Sequence, residues 1–403
     1  MSNLDVNQSE SRGFHYGWIN IGVLLLVMSV SHGIISAGIP VFDARILAEL
    51  NISRGALKFR DFIQIISAGL SGLAIGYAVA RIPPRWITVS GLLALAVALL
   101  GYGLAPNVAT IYALHVLLGF CYASVHVVIV VIFVSQWFTT HRGLAIGLAL
   151  SGTSLGSAVF PQIGVALTSV LDWREAIKWL AVFPLAMAPI AAIALRSRLP
   201  SAAGHQDGSS ESTSSAPSAR AVDYRMVGVL GIAVFGVFYS TSGFIAHTFL
   251  HLKDQGFNDQ TAATGLTIVF IMGLIGKIAA GVAGDAWGTR PVWQGHQGIL
   301  IASGVLLVTI QPAWFWIALV ALGLGWAGCY TLTQVVLTDM FAGPSLGKLI
   351  GWFIVFEAVG AGSGSWLTGV LFDAFGSYSI PFMINTALLL VSFTACFFLP
   401  KRR

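Results

Sequence analysis

Two ionisable side chains lie deep inside long apolar runs, Lys277 and Glu357. A charge at the centre of a bilayer costs about 2.5–3.5 kcal/mol on insertion scales, so such a residue needs a partner, a cavity or a ligand. Lys277 precedes Gly284 by seven residues, about 10 Å along a helix. Lysine presents a point charge and not a bidentate fork. It still binds a carboxylate strongly where water is scarce. A purely structural Lys277–Glu357 ion pair is the simpler reading. In the functional one, Glu357 takes up a proton and so frees Lys277 for an anionic ligand. Burial and a neighbouring lysine act on a glutamic acid in opposite directions, and the sequence does not rank them.

Around these two, Tyr122 and His126 stand one helical turn apart, as do Trp326 and Tyr330. Tyrosine hydroxyls can hold carboxylate oxygens while the rings keep water out. A stripe at this spacing is equally compatible with packing. His32 and His247 are further binding candidates, and each can also be a satisfied core histidine. Arg60, Asp61, Asp43 and Arg45 cluster near helix ends, where local pairing or snorkelling accounts for them. Asp61 is second to Glu357 as a proton carrier. Cys121, Cys329 and Cys396 are isolated in apolar runs and form no metal or disulfide pattern. No Walker A motif and no nucleophile–base constellation occurs. The chemistry expected is therefore binding and translocation without bond-making, with no metal and no cofactor.

The elements that position these residues follow from composition. Of 403 residues, 56% are hydrophobic and only 9% charged, against roughly 25% charged in soluble proteins. So few charges cannot cover a soluble fold of this size. Apolar segments are expected at 16–42, 57–80, 86–105, 109–137, 143–168 and 176–195. Six more fall at 224–251, 262–284, 293–311, 313–340, 347–371 and 379–399. Each is long enough to span a bilayer, which takes about 20 residues. Between the sixes lies 196–223, a polar, Ser-rich stretch that cannot bury enough apolar area to fold alone. The expected domains are 1–195, a linker at 196–223, and 224–403.

One set of loops and ends carries Arg12, Arg81, Arg85, Arg142, Arg196, Arg198, Arg220, Arg225, Arg290, Lys348, Lys401, Arg402 and Arg403. The opposite set carries only Arg45, Arg54, Arg174, Lys178 and Lys253. The basic side is expected to be cytoplasmic, together with both termini and the linker. The net charge of +5 reflects these loops and is no nucleic-acid signal. The polar start and the long first apolar run give no expectation of a cleavable signal peptide. Trp18, Trp86, Trp173, Trp314 and Trp316 are expected to anchor helix ends at the lipid interface.

The two halves also resemble each other. Gly76-Tyr77-Ala78-Val79-Ala80-Arg81-Ile82-Pro83-Pro84-Arg85 lies opposite Gly281-Val282-Ala283-Gly284-Asp285-Ala286-Trp287-Gly288-Thr289-Arg290. Gly143, Gly147 and Gly156 lie opposite Gly347, Gly351 and Gly360. A parallel repeat of two six-helix units around a midplane site is a transporter architecture.

Twelve segments in two sixes, with G-x-x-x-D-x-x-G-x-R at Gly281–Arg290, resemble the major facilitator superfamily over nearly the whole chain. The resemblance implies an all-α membrane protein whose twelve helices form two pseudo-symmetric six-helix bundles. It also implies a conformational latch at Arg81, Arg85, Asp285 and Arg290. The first copy departs from the pattern, with Ala80 in place of the usual Asp and Pro83 in place of the usual Gly, which implies a weaker or differently built N-terminal latch.

Trp137-Phe138-Thr139-Thr140-His141-Arg142-Gly143-Leu144-Ala145-Ile146-Gly147 is similar to a signature of the monocarboxylate porter branch, which includes oxalate/formate antiporters. Tyr16-Gly17-Trp18 is similar to that branch's other signature, without its usual acidic residue. In this branch Lys277 matches the substrate-binding cation, usually Arg. Oxalate/formate antiporters have a second cation near the position of Glu357, so the departure points to a monocarboxylate instead of a dianion. The superfamily's cavity is lined by its first, fourth, seventh and tenth helices, which places Tyr122, His126, Trp326, Tyr330, His32 and His247 as candidate lining. The implied function is proton-coupled, alternating-access transport of a small organic anion, by a monomer in a bacterial inner membrane. The alternative is a drug/proton antiporter. The G-x-x-x-G-P motif of such exporters is broken here, because Ser157 follows Gly156.

Overall fold

A computed structural model of the chain describes residues 3–125, 127–138, 141–197, 224–309, 312–340 and 346–398. Among these residues the chain is helical throughout, with no strand. The first six helices are α1 (Tyr16–Leu50), α2 (Arg54–Ala78), α3 (Pro84–Gly103), α4 (Val108–Trp137), α5 (Arg142–Thr168) and α6 (Trp173–Ala194). The second six are α7 (Tyr224–Asp254), α8 (Asp259–Trp287), α9 (Thr289–Thr309), α10 (Pro312–Met340), α11 (Leu346–Phe375) and α12 (Ser379–Phe398). All but α9 carry a stretch long and apolar enough to cross a membrane by themselves. In α9, Arg290, Gln294, His296 and Gln297 dilute the run, although at 21 residues the helix is long enough to span.

Helix starts follow local chemistry. Ser53, Asn107, Asp172 and Asn258 accept hydrogen bonds from the first amides of α2, α4, α6 and α8. The first helix runs past the expected end at residue 42. Ile34–Gly38 form a π turn and Ile39–Phe42 a 3-10 turn, which lets the chain accommodate Pro40 without stopping. The continuation Asp43–Leu50 is amphipathic, so a hydropathy reading ends too early. Trp173 is not an interfacial anchor: it is buried, and its indole donates to Glu49.

Small residues set the helix spacing. In the first half, a side chain at Gly156 would strike the backbone of Ser29, and one at Gly152 that of Leu25, so α5 lies hard against α1. In the second half, Gly360 and Gly364 bring α11 against Phe235 and Tyr239 of α7 in the same way. The expected equivalence of Gly156 and Gly360 is thus a shared packing role. The linker division falls on residues of which 198–223 lie outside the described set.

Four helices, α2, α5, α8 and α11, meet across the boundary between the halves, and they meet only along part of their length. At the end that carries Ser53, Asp254 and Asp373, α2 packs on α11 and α5 on α8. Toward the other end, the positions of Gly69, Gly72, Gly76, Gly143, Gly147, Gly281 and Gly351 have nothing within 4 Å of an added Cβ. Leu73, Tyr77, Leu144 and Val282 are exposed there. The molecule is closed at one end and cleft at the other.

Candidate functional site

Lys277 sits at the last contact of the α5–α8 seam before the cleft opens. Its Nζ donates to Thr153 Oγ1 at 3.2 Å and to Ser154 Oγ at 3.1 Å, and it lies 5.7 Å from the Trp326 ring centroid. Gly273 and Gly276 fix this position: an added Cβ at Gly273 would meet the Trp326 ring, and one at Gly276 would meet the backbone of Leu324. Gly152 performs the same service for Thr153 and Ser154 by seating α5 on α1.

Glu357 is not the partner of Lys277. Its Oε1 accepts from Gln334 Nε2 of α10 at 2.7 Å, and no carboxylate lies within ion-pair distance of Lys277 among the described residues. The expectation that Glu357 holds Lys277 until protonated is therefore corrected for this conformation. The two residues stand on different helices, α11 and α8, and each has found neutral polar partners.

The aromatic group is partly assembled. Trp326 stacks edge-on against Phe270 at 5.6 Å, and Tyr330 lies 6.0 Å from Phe238. Within the first half, the Tyr122 ring of α4 is 4.2 Å from His32 of α1. His126 lies outside the described residues.

His247 belongs to a different assembly, at the closed end. It is fully buried, and its Nε2 is 2.8 Å from the Ser365 carbonyl, so that nitrogen carries the proton and donates. Its Nδ1 accepts from the Tyr378 hydroxyl at 2.9 Å, and Tyr378 in turn accepts from Arg54 Nη1 at 2.7 Å. Arg54 also makes a two-pronged pair with Asp254, at 2.6 and 2.7 Å. Asp373 of α11 accepts from the backbone N–H groups of Arg54 and Gly55, at 2.9 and 2.7 Å. A carboxylate from the second half therefore caps the start of α2, where the helix dipole favours it.

Asp61 also lies in this region. Lys58 and Arg60 flank it at 3.7 and 3.3 Å, and Ser365 Oγ of α11 donates to it at 2.6 Å. Arg60 does not snorkel. It is completely buried, pairs with Asp43, and donates to Tyr102 at 2.8 Å. Lys58, equally buried, pairs with Asp43 at 2.7 Å. Two acids and two bases thus form a closed cluster, with His115 beside Tyr102 at 3.3 Å. Sequence reasoning missed Lys58, although its i,i+3 spacing to Asp61 was a usable signal. It also missed Arg54, Asp254, Asp373, Thr153 and Ser154, whose partners are distant in sequence.

The candidate latch residues are not brought together. Arg81 and Asp285 are exposed at the cleft end. Arg85 lies 5.1 Å from the Trp86 ring, and Arg290 donates to the Cys396 carbonyl at 2.5 Å, each within its own half.

Eleven of the described helices are long and apolar enough to cross a membrane, and Lys277 stands where the two halves part: this is an integral, multi-pass membrane transporter fold. The chain belongs to the Major Facilitator Superfamily, whose profile matches residues 21–276 and 229–403. It is 30% identical over 263 residues to Monocarboxylate transporter 13 of Bos taurus, covering 64% of this chain and 59% of that protein. To Monocarboxylate transporter 13 of Rattus norvegicus it is 24% identical over 402 residues, covering 96% of this chain and 89% of that one. To the uncharacterized MFS-type transporter YcxA of Bacillus subtilis (strain 168) it is 25% identical over 363 residues, covering 84% and 83%. Among solved structures, a bacterial homolog of the human lysosomal transporter Spinster, inward-facing and occupied, superposes with a TM-score of 0.76 at 15% identity, covering 94% of this chain and 95% of that one. The nucleoside transporter NupG superposes at 0.75 with 13% identity, covering 96% and 100%. These two likenesses concern the fold alone.

Proposed function

We propose that the protein is a secondary transporter of a small organic anion, a monocarboxylate in the first instance, coupled to protons and working by alternating access. The observation that carries this reading is Lys277: an ammonium at the apex of the cleft, held by two hydroxyls, with no carboxylate in ion-pair reach among the described residues. A carboxylate entering the cleft meets a cation whose described partners are two neutral hydroxyls. The monocarboxylate transporters among the relatives support the same substrate class. Tyr122, His32, Trp326 and Tyr330, with His126 and His247, are the proposed remaining binding groups. His247 acts in the other conformation, since it is sealed at the closed end in this one.

Glu357 is the proposed proton-coupling group, because it faces the cleft with a single neutral partner, Gln334. Asp61 is the second choice, since Lys58, Arg60 and Ser365 already hold it as a carboxylate. The bundles 1–195 and 224–403 are the rocking bodies, and 196–223 tethers them. The cleft end carries Arg81, Arg85, Arg142, Arg196 and Arg290. By the positive-inside bias it faces the cytoplasm of a bacterial cell, with both termini on that side. The conformation described is then inward-open, and Arg81, Arg85, Asp285 and Arg290 are not paired with one another, as a latch for the outward-open state should be. The working unit is a monomer.

Thermal-shift binding in detergent tests this reading, over a panel of monocarboxylates at an acidic and a neutral pH. A ligand that binds only the folded state raises the melting temperature by mass action. Stabilisation by a monocarboxylate, lost in Lys277→Ala, is the expected outcome. In reconstituted vesicles, Glu357→Gln should abolish the dependence of uptake on pH. If lipophilic cations shift the melting temperature and no carboxylate does, the drug/proton antiporter reading takes its place.

A further inference from the structure

Lys277 reaches its partners across the boundary between the halves: it stands on α8, and Thr153 and Ser154 stand on α5. The two hydroxyls are not equivalent. Thr153 Oγ1 donates to the Leu150 carbonyl at 2.8 Å, so toward Lys277 or a ligand it can only accept. Ser154 Oγ accepts from Lys277 and donates to no described residue, and Ser154 is 2% exposed. A buried hydroxyl with an unspent proton is uncommon, because buried polar groups find partners. Lys277 has three N–H donors and spends two of them on these hydroxyls. A spare O–H and a spare N–H about 3 Å apart at the apex of a cleft form a donor pair that lacks an anion.

We propose that Ser154 is the second donor of the anion site. One carboxylate oxygen accepts from Lys277 Nζ and the other accepts from Ser154 Oγ, so that the bound anion bridges α8 and α5. This rests on the reading of Lys277 as the carboxylate-binding cation. In the empty state the lysine itself ties the two halves together at this point. In the loaded state the substrate supplies that tie. Thr153 keeps Lys277 aimed at the cleft and makes no contact with the anion.

The test is calorimetric binding of acetate, lactate and benzoate, and of the corresponding amides, to the full-length protein in detergent. Ser154→Ala is expected to weaken carboxylate binding about ten- to hundredfold, the size of one hydrogen bond to a charged group. It should also narrow the preference for acid over amide. Ser154→Thr keeps the O–H and should retain binding, and Ser154→Cys, with a weaker donor, should fall between. Thr153→Val removes an acceptor that aims Lys277 but no donor to the anion, so it should weaken carboxylate binding clearly less than Ser154→Ala does. Wild-type affinity in Ser154→Ala would overturn the proposal. So would an equal loss in Thr153→Val, because both hydroxyls would then merely position the lysine. Should wild type bind no carboxylate, or Lys277→Ala bind as wild type does, the transporter reading above fails first and this one falls with it.

Discussion

The closed end is sealed by two seams that the internal repeat relates to each other, α2 on α11 and α5 on α8, and they use opposite chemistry. Along α2–α11 the contacts are ionic and aromatic. Asp373 caps α2, Arg54 joins Asp254 and Tyr378, Ser365 donates to Asp61, and Phe59 packs on Trp366 at 4.9 Å. Along α5–α8 they are neutral. Gln260 donates to Gln162, Gln162 donates to Thr267 at 3.0 Å, and Thr267 donates to the Ala158 carbonyl at 2.7 Å. The charges beside that ladder are Asp259 at the start of α8, which pairs with Arg45 of α1 across the boundary at 2.7 Å and with Lys253 at 2.8 Å, and Lys277 at its inner limit. Charged, geometrically exact contacts make a bistable clasp, whereas a ladder of amides and hydroxyls can exchange partners with little change in energy. The α2–α11 seam, with its cap, clasp and buried cluster, therefore carries more of the closure than the α5–α8 ladder, whose ionic tie among the described residues is Arg45–Asp259 at its outer end.

The largest effect should come from the buried cluster behind the first seam. Asp43 is the acid that both Lys58 and Arg60 engage, and all three are buried. Asp43→Ala would leave two cations with only Asp61 between them. Removing one partner from a buried ionic group costs about 3–5 kcal/mol. The expected outcome is a variant that melts far below wild type or fails to accumulate in the membrane, read by detergent-solubilised yield and melting temperature. A variant that folds normally and still closes would mean that the cluster does not brace the first seam.

A smaller effect is expected from the clasp itself. Arg54→Ala removes the pair with Asp254 and the bond to Tyr378, and it leaves the cap from Asp373 in place, because that cap uses the backbone. The pair is partly exposed, with 15% and 32% of the two side chains accessible. Its contribution is accordingly about 1–2 kcal/mol, enough to shift a two-state population roughly tenfold. Spin-label distances across the closed end should lengthen in Arg54→Ala without loss of fold. Asp373→Asn, which keeps the shape but not the charge of the cap, should lengthen them less.

The contrast between the seams also marks what the sequence could reveal. The twelve helices, the two sixes and the depth of Lys277 and Glu357 were legible, because hydropathy and helix rise are local quantities. Lys277 and Glu357 were read as one pair because both are deep and opposite in sign. The structure gives each its own neutral partners: Lys277 of α8 reaches α5 of the other half, and Glu357 of α11 is held by Gln334 of α10 in its own half. Arg54, Asp254 and Asp373 looked like ordinary loop-end charges: nothing near any of them in sequence announces partners more than a hundred residues away. Ser154 was hidden for another reason. Serine in a Gly-rich helix reads as small-residue packing, and its unspent proton becomes visible only once the lysine is placed against it.

The smallest effect should come from the neutral ladder, and it is the sharpest test of the contrast. Gln162 both accepts from Gln260 and donates to Thr267, so it is the central rung of the α5–α8 seam. Gln162→Leu removes both bonds but keeps most of the packing volume. The groups left behind lie near the partly exposed rim of the closed end and can turn to water, so the expected cost is within about 1 kcal/mol. Spin-label distances across the closed end should stay at their wild-type values, in contrast to Arg54→Ala. If Gln162→Leu opens the closed end as far as Arg54→Ala does, the two seams share the closure equally and the chemical asymmetry between them has no mechanical meaning. If distances hold but carboxylate affinity changes, the neutral ladder is what transmits ligand binding at Lys277 to the rim, through Thr267 and the Ala158 carbonyl on the same two helices.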